Sequence, residues 1–123
     1  MTDPIKIQVY TQYLEEQSDP ELGRYAFAYT IDITNEGDES VQLINRHWLI
    51  TDDNNRTEEV KGSGVVGLQP QIPPGQTFQY TSGAVLGTEL GTMHGSYQMR
   101  TANGRVFKAA IPTFLLSTPH TLH

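Results

Sequence analysis

An alternation of large apolar and polar residues with a period of two constrains the fold most strongly. A large apolar or aromatic residue recurs at every second position from Ile5 to Val9 and again from Tyr25 to Ile33. Successive side chains of a β-strand point to opposite faces, so this pattern predicts strands that bury one face. No stretch keeps apolar residues at helical spacing for three turns, and we therefore expect no long helix.

Turn-forming residues divide the chain into short segments rich in β-branched and aromatic residues, which is typical of strands. We predict eight strands, over residues 5–9, 25–33, 41–51, 57–61, 65–72, 77–82, 94–101 and 105–111. Asn103-Gly104 predicts a hairpin with a type I′ turn. The polar segment 12–23, which contains Pro20, is predicted to be a loop. Seven to eight antiparallel strands at this spacing predict an all-β sandwich of the immunoglobulin or fibronectin type III kind.

The length and the aromatic residues predict one domain with one core. We assign residues 1–123 to a single domain, and we expect residues 117–123 to be a frayed tail. The one tryptophan, Trp48, is predicted to lie in the core on a central strand. Its predicted neighbours are aromatic residues from other strands, namely Phe27, Tyr29, Phe78, Tyr80, Tyr97 and Phe107.

The composition of the chain limits the classes of partner that we expect and indicates the cellular compartment. The chain has eight basic and fourteen acidic residues, which gives 8 − 14 = −6. This balance argues against nucleic acid and anionic membranes as partners, because both are bound through Lys and Arg. The absence of cysteine excludes disulfides and thiol chemistry. Since we find neither a signal-peptide pattern nor an apolar run of about 20 residues, we predict a cytoplasmic protein.

A G-x-G-x-x-G string is the most conspicuous motif, and it consists of Gly62, Ser63, Gly64, Val65, Val66 and Gly67. In dinucleotide-binding domains such a string opens a helix that carries a pyrophosphate. Here Pro70 and Pro73 follow too closely for a helix. Three interpretations stay open: a bend in an edge strand, an edge that accepts a partner's strand, or a nest of backbone amides for an anion. In the last case Arg46, Arg56 and Lys61 are the residues that would supply charge.

The remaining polar residues predict neither catalysis nor metal binding. No G-x-S-x-G motif is present, and His47 and His94 have no serine and carboxylate placed beside them. The run 52–55, Asp-Asp-Asn-Asn, lacks the glycine and the closing glutamate of a calcium loop. We therefore expect no catalytic residue, no metal site and no cofactor, and we predict that the protein is not an enzyme.

Several segments resemble the ApaG family. Residues 59–75, EVKGSGVVGLQPQIPPG, resemble its signature, and so do residues 46–52, 78–83 and 111–114. The resemblance covers nearly the whole chain. Glu89 departs from the pattern, which usually has proline there, and Asn55 stands where a glycine often closes the hairpin.

The resemblance implies an immunoglobulin-like sandwich and a bacterial stand-alone domain. Eukaryotic relatives carry such a domain beside F-box and polymerase-interacting regions, which is typical of a protein-recognition module. The family is also associated with cobalt and magnesium efflux, and it offers no catalytic residue to carry over. We therefore predict a non-enzymatic interaction or accessory module that engages a protein partner through a sheet edge or through residues 62–67 and 86–95. The alternative is a protein that binds pyrophosphate or a nucleotide polyphosphate at residues 62–67, and an edge-to-edge homodimer is compatible with either function.

Overall fold

The computed structural model describes residues 4–119 and confirms an all-β fold of two antiparallel sheets. Eight strands form within these residues: β1 (Ile5–Tyr13), β2 (Tyr25–Asn35), β3 (Val41–Asp52), β4 (Thr57–Ser63), β5 (Gln71–Ile72), β6 (Thr77–Leu86), β7 (Leu90–Thr101) and β8 (Val106–Ser117). The first sheet has the order β1-β2-β6. The second has the order β4-β3-β7-β8, and the short β5 also pairs with β3.

The core lies between the inner faces of the two sheets. Alternate residues of β2 are buried, as the period of two predicts, and so are residues of β3, β7 and β8. Trp48 is buried as predicted, and its ring packs against those of Tyr29, Tyr97 and Phe114 at centroid distances of 5.5, 6.3 and 5.8 Å. Phe27, Tyr29, Tyr80 and Tyr97 belong to the buried cluster, whereas Phe78 and Phe107 pack against it partly buried.

The two lateral sides of the sandwich differ. On one side the edge strands β1 and β8 contact each other. The other two edge strands, β4 and β6, therefore lie on the opposite side, and cavities that they line together separate them. This open side is the place where both sheets end in a free edge.

The structure differs from the sequence prediction in three segments. The predicted strand 65–72 is wrong: Val65 to Leu68 form a tight turn, and only Gln71–Ile72 pair with β3. Conversely, the segment 86–95, predicted as a docking loop, is mostly strand, because β6 ends at Leu86 and β7 begins at Leu90. The predicted loop 12–23 holds two short 3₁₀ turns, Glu15–Gln17 and Pro20–Leu22.

The hairpin at Asn103-Gly104 is confirmed, since β7 pairs with β8, but its predicted type I′ turn is wrong. Only Gly104 has a positive φ, +90°, whereas a type I′ turn needs positive φ at both central residues. The loop is one residue longer, because the N–H of Thr101 donates to the carbonyl of Arg105. The Thr101 hydroxyl accepts the Arg105 N–H at 3.1 Å and stabilises this wider turn.

The C-terminal end is described as far as Pro119. Ser117 closes β8, and Thr118 is buried and donates its N–H to the carbonyl of Glu89 at 3.1 Å. Ser117 and Thr118 are thus held against the sheet, and residues 120–123 of the tail predicted to fray lie outside the described residues. The assignment of 1–123 to one domain stays a prediction. No helix among the described residues has the length and apolar character needed to cross a membrane.

Candidate functional site

A groove runs along the open side of the sandwich, and we call it the open groove. Its central cavity of about 370 Å³ is lined by Tyr29 of β2, by Arg46, Trp48 and Ile50 of β3, by Glu58 and Val60 of β4, and by Ser82 to Val85 of β6. A cavity of about 220 Å³ continues it toward Val65, Val66 and Gly67. A third cavity of about 250 Å³ continues it toward Asp52, Arg56 and Gly87. Neighbouring cavities share lining residues, so the groove is continuous along β4 and β6.

One wall of the open groove is a free strand edge. The N–H of Asn35 in β2 donates to the carbonyl of Gln76 at 3.0 Å, which fixes the pattern of hydrogen bonding between β2 and β6. Since bonded and non-bonded pairs alternate in an antiparallel ladder, every second residue of β6 directs its N–H and C=O away from β2. These residues are Thr77, Gln79, Thr81, Gly83 and Val85.

The G-x-G-x-x-G string forms the end of β4 and a tight turn. Gly62 and Ser63 belong to β4, and Gly64 follows with a φ of +62°. Val65 and Leu68 then exchange two backbone hydrogen bonds of 2.8 and 2.9 Å around Val66 and Gly67. Both central residues have positive φ, +45° and +78°, as in a type I′ turn. The string therefore reverses the chain beside one end of the open groove.

Much of the predicted amide nest is occupied by backbone hydrogen bonds. Gly64 donates its N–H to Ile44 at 2.8 Å, and Val65 donates to Leu68. Alternation along the ladder also directs the amide of Gly62 to its β3 partner, Arg46. A Cβ on Gly64 would lie 2.1 Å from the Leu68 carbonyl oxygen, so the loss of that glycine would disturb the turn itself.

Two of the three predicted cations, Arg46 and Lys61, line a cavity of about 480 Å³ together with Gly62 and Ser63 of the string. Arg46 reaches the string itself, because its Nη1 donates to the carbonyls of Ser63 and Gly64 at 3.0 Å each. Arg56 lines the far end of the open groove instead. Lys61 and Arg46 belong to adjacent cross-strand pairs, so their side chains lie on opposite faces of the sheet. Anion binding at residues 62–67 stays a prediction.

Gly62 provides the space that the Arg46 guanidinium occupies. The two residues are directly paired between β3 and β4. A Cβ on Gly62 would lie 2.8 Å from Cζ, Nη1 and Nη2 of Arg46, which shows that the guanidinium lies flat over the glycine. The same arginine lines both the central and the string-side cavities. The glycine therefore helps to hold a cation within the open groove.

Neutral polar groups lie beneath this cation. The hydroxyls of Tyr80 and Tyr97 are hydrogen-bonded to each other, and burial raises the pKa of both above the ordinary tyrosine value. The positive charge of Arg46 acts in the opposite direction on the pKa of Tyr80, a smaller effect. The indole Nε1 of Trp48 is buried and has no hydrogen-bond partner among residues 4–119. The two tyrosine hydroxyls are thus uncharged, and the indole N–H of Trp48 is an unsatisfied buried donor.

The outer face of the second sheet carries a separate hydrogen-bonded pair of side chains. His47 and Glu59 lie 2.7 Å apart, and this hydrogen bond, helped by the charge of Lys61, lowers the pKa of Glu59.

No group of three or more histidine or carboxylate side chains within residues 4–119 has a geometry suited to a metal ion. Asp52 instead caps its turn by accepting the N–H groups of Asn54 and Arg56 at 2.9 Å each. Asn55 in this turn has a φ of +63°, which asparagine tolerates better than most residues.

Val66 is a strained residue in the turn, and its replacement should stabilise the protein. It is β-branched at a φ of +45° and 54 % exposed, so it incurs backbone strain without deep burial. We expect Val66→Asn to raise the free energy of unfolding by about 1 kcal/mol, because asparagine adopts this conformation more easily. Urea unfolding followed by circular dichroism measures the change. Gly67→Ala is the matched control: its Cβ would meet no atom within 4 Å, yet positive φ should make it destabilising by about 1 kcal/mol.

Comparison with known proteins agrees with the fold and with the sequence motifs. The family model described as the ApaG domain matches residues 15–101. Protein ApaG of Dechloromonas aromatica is 55% identical over 119 residues, which are 97% of this chain and 94% of that protein. Protein ApaG of Thiobacillus denitrificans is 57% identical with the same coverage. A crystal structure of a putative ApaA protein from Bordetella pertussis superposes with a TM-score of 0.91 at 50% identity and covers 94% of each chain. The chain therefore belongs to the ApaG family.

Proposed function

We propose that this protein is a non-enzymatic recognition module that binds an extended segment of a partner protein in the open groove. The segment adds to the free edge of β6 as a further strand, and its alternate side chains enter the groove. The observation that carries this proposal is the edge itself. Over its ten residues β6 has no charged residue and no proline.

Edge strands normally carry features that prevent pairing with other chains, such as charges or proline. The other edge strands of this fold have such features. β4 carries Glu58, Glu59 and Lys61, β8 contains Pro112, and β1 carries Lys6 and contacts β8. An edge that lacks these features on an otherwise protected sandwich is best explained by pairing with a partner.

Exposed apolar side chains at both ends of the open groove support the same interpretation. Val85 is 59 % exposed on β6, where it lines the central and far cavities, and Val66 is 54 % exposed on the turn that lines the string-side cavity. Val66 also retains backbone strain that asparagine or glycine would relieve. A partner that covers these two valines would bury apolar surface beyond the strand ladder.

Site-specific photocrosslinking in cells tests this function. We expect a benzophenone amino acid at Val85 to give a discrete protein adduct. The same probe at Tyr10, which is 54 % exposed on β1, should give none. Thr81→Pro should abolish the adduct, because it removes an N–H directed to the free edge and leaves the ladder to β2 intact. The matched variant Thr11→Pro changes an exposed residue of β1 and should leave the adduct unchanged.

Two outcomes would contradict this function: equal crosslinking from Val85 and Tyr10, or an adduct that survives Thr81→Pro in a folded protein. An adduct of twice the chain mass would identify the partner as a second copy.

Three further expectations stay predictions from the sequence. They are binding of pyrophosphate or a nucleotide polyphosphate, a role in cobalt and magnesium efflux, and a cytoplasmic location. Binding of pyrophosphate or a nucleotide polyphosphate is less favoured than peptide binding, because the amides of Gly62, Gly64 and Val65 already donate hydrogen bonds within the protein.

A further inference from the structure

We propose that Arg46 determines the specificity of the open groove by binding the carboxylate of an aspartate or glutamate side chain in the partner's segment. This inference rests on the proposed function, because it specifies the chemistry of the peptide that the groove accepts. It follows from the hydrogen bonding of the guanidinium, from the way Gly62 fixes its position, and from the distribution of charge along the groove.

The guanidinium of Arg46 is partly buried and only partly satisfied. It has five N–H donors, and Nη1 donates to the carbonyls of Ser63 and Gly64. Among residues 4–119 no carboxylate lies within ion-pair distance of it. A partly desolvated cation without a counter-ion is unfavourable, and a carboxylate is the group that satisfies an arginine best, through two parallel hydrogen bonds.

The position of this cation is fixed before any ligand arrives. The flat contact with Gly62 and the two carbonyl acceptors hold the guanidinium at the wall of the groove that faces β6. Little side-chain entropy is then lost on binding, and a preorganised donor contributes more to affinity. Trp48, whose buried indole N–H has no hydrogen-bond partner among residues 4–119, lines the same two cavities.

The charge along the groove restricts where an acidic residue can bind. Glu58 lines the central cavity four residues before Gly62 on β4, a distance of about 13 Å along a strand. A carboxylate is therefore attracted at Arg46 and repelled near Glu58. We expect a ligand with an acidic residue at one position and a neutral or basic residue about four positions away.

A displayed library of random heptapeptides provides the test. Panning against the folded protein should enrich extended sequences that share one acidic position. For an enriched peptide, replacing that residue by Gln or Asn should raise the Kd about tenfold, as measured by fluorescence anisotropy. In the Arg46→Met variant the two peptides should bind with the same Kd. The ratio between them reports the charge contact, and a structural role of Arg46 alone would not change it.

Further variants keep the test decisive if Arg46→Met folds poorly. Gly62→Ala displaces the guanidinium without removing it and should reduce the ratio between the two peptides at least threefold. Lys6→Gln, at an exposed position of β1 outside the groove, should leave the ratio unchanged. Enriched peptides without a shared acidic position would overturn the role of Arg46 while supporting the peptide groove. If no peptide is enriched and inorganic pyrophosphate alone saturably shifts the Arg46 side-chain signals, both the inference and the proposed function fail.

Discussion

Gly95→Ala should destabilise the protein more than any other glycine substitution. Gly95 lies in the middle of β7, paired with Trp48 of β3 and Ile111 of β8. A Cβ there would lie 1.9 Å from the His47 carbonyl oxygen and 2.9 Å from its carbonyl carbon. The obstacle is the backbone of a central strand, which cannot rotate away as a side chain can. β3 and β7, the two central strands of the second sheet, would have to separate.

We expect this substitution to lower the free energy of unfolding by about 3 kcal/mol or more, by analogy with overpacked cores. Small domains are stable by about 5–15 kcal/mol, so a large share would be lost. Urea unfolding followed by circular dichroism gives the value. Gly87→Ala is the control, because its Cβ would meet only the Gly23 carbonyl oxygen at 3.9 Å. An equal and small change in both variants would show that the strands adjust without cost.

Gly95 also illustrates what the sequence predicts and what it does not. The period-two alternation predicted most strands, because burial of one sheet face dictates that pattern over many residues. Nothing in the local sequence around Gly95 indicates that the strand across from it approaches so closely. The contact depends on the pairing of β7 with β3, whose residues lie far apart along the chain.

The tight turn at Val65 to Leu68 escaped prediction for a local reason. Val65, Val66 and Leu68 are apolar and β-branched or bulky, and such residues favour strands. Val66 nevertheless adopts positive φ, and two backbone hydrogen bonds between Val65 and Leu68 stabilise the turn against that preference. Phe114 was missed as a neighbour of Trp48 because the predicted last strand ended at residue 111, whereas β8 continues to Ser117.

The open groove was the least predictable feature. The sequence suggested that a sheet edge would be used, but it did not say which edge. That choice follows from the strand orders of both sheets, which place β4 and β6 on the same side. Arg46 was singled out only as a source of charge for the glycine string. Its contact with Gly62 depends on the register between β3 and β4, in which the two residues are opposite each other.

Trp48→Ala is the second change with a large expected effect. The side chain is 2 % exposed and touches three aromatic rings, so truncation leaves a large cavity between the sheets. We expect the free energy of unfolding to fall by about 3–5 kcal/mol. Trp48 is the one tryptophan of the chain, so its variants must be followed by far-ultraviolet circular dichroism rather than by indole fluorescence.

Trp48→Phe separates the packing of the ring from its buried N–H. The phenyl ring keeps much of the apolar contact and removes a donor that has no partner among residues 4–119. Since an unsatisfied buried donor costs about 1–3 kcal/mol, this variant should lose less than half of what Trp48→Ala loses. A loss as large as that of Trp48→Ala would show that the indole N–H is satisfied in solution. In that case Trp48 would offer no unsatisfied donor beside Arg46, and recognition of a carboxylate would depend on the guanidinium and its contact with Gly62.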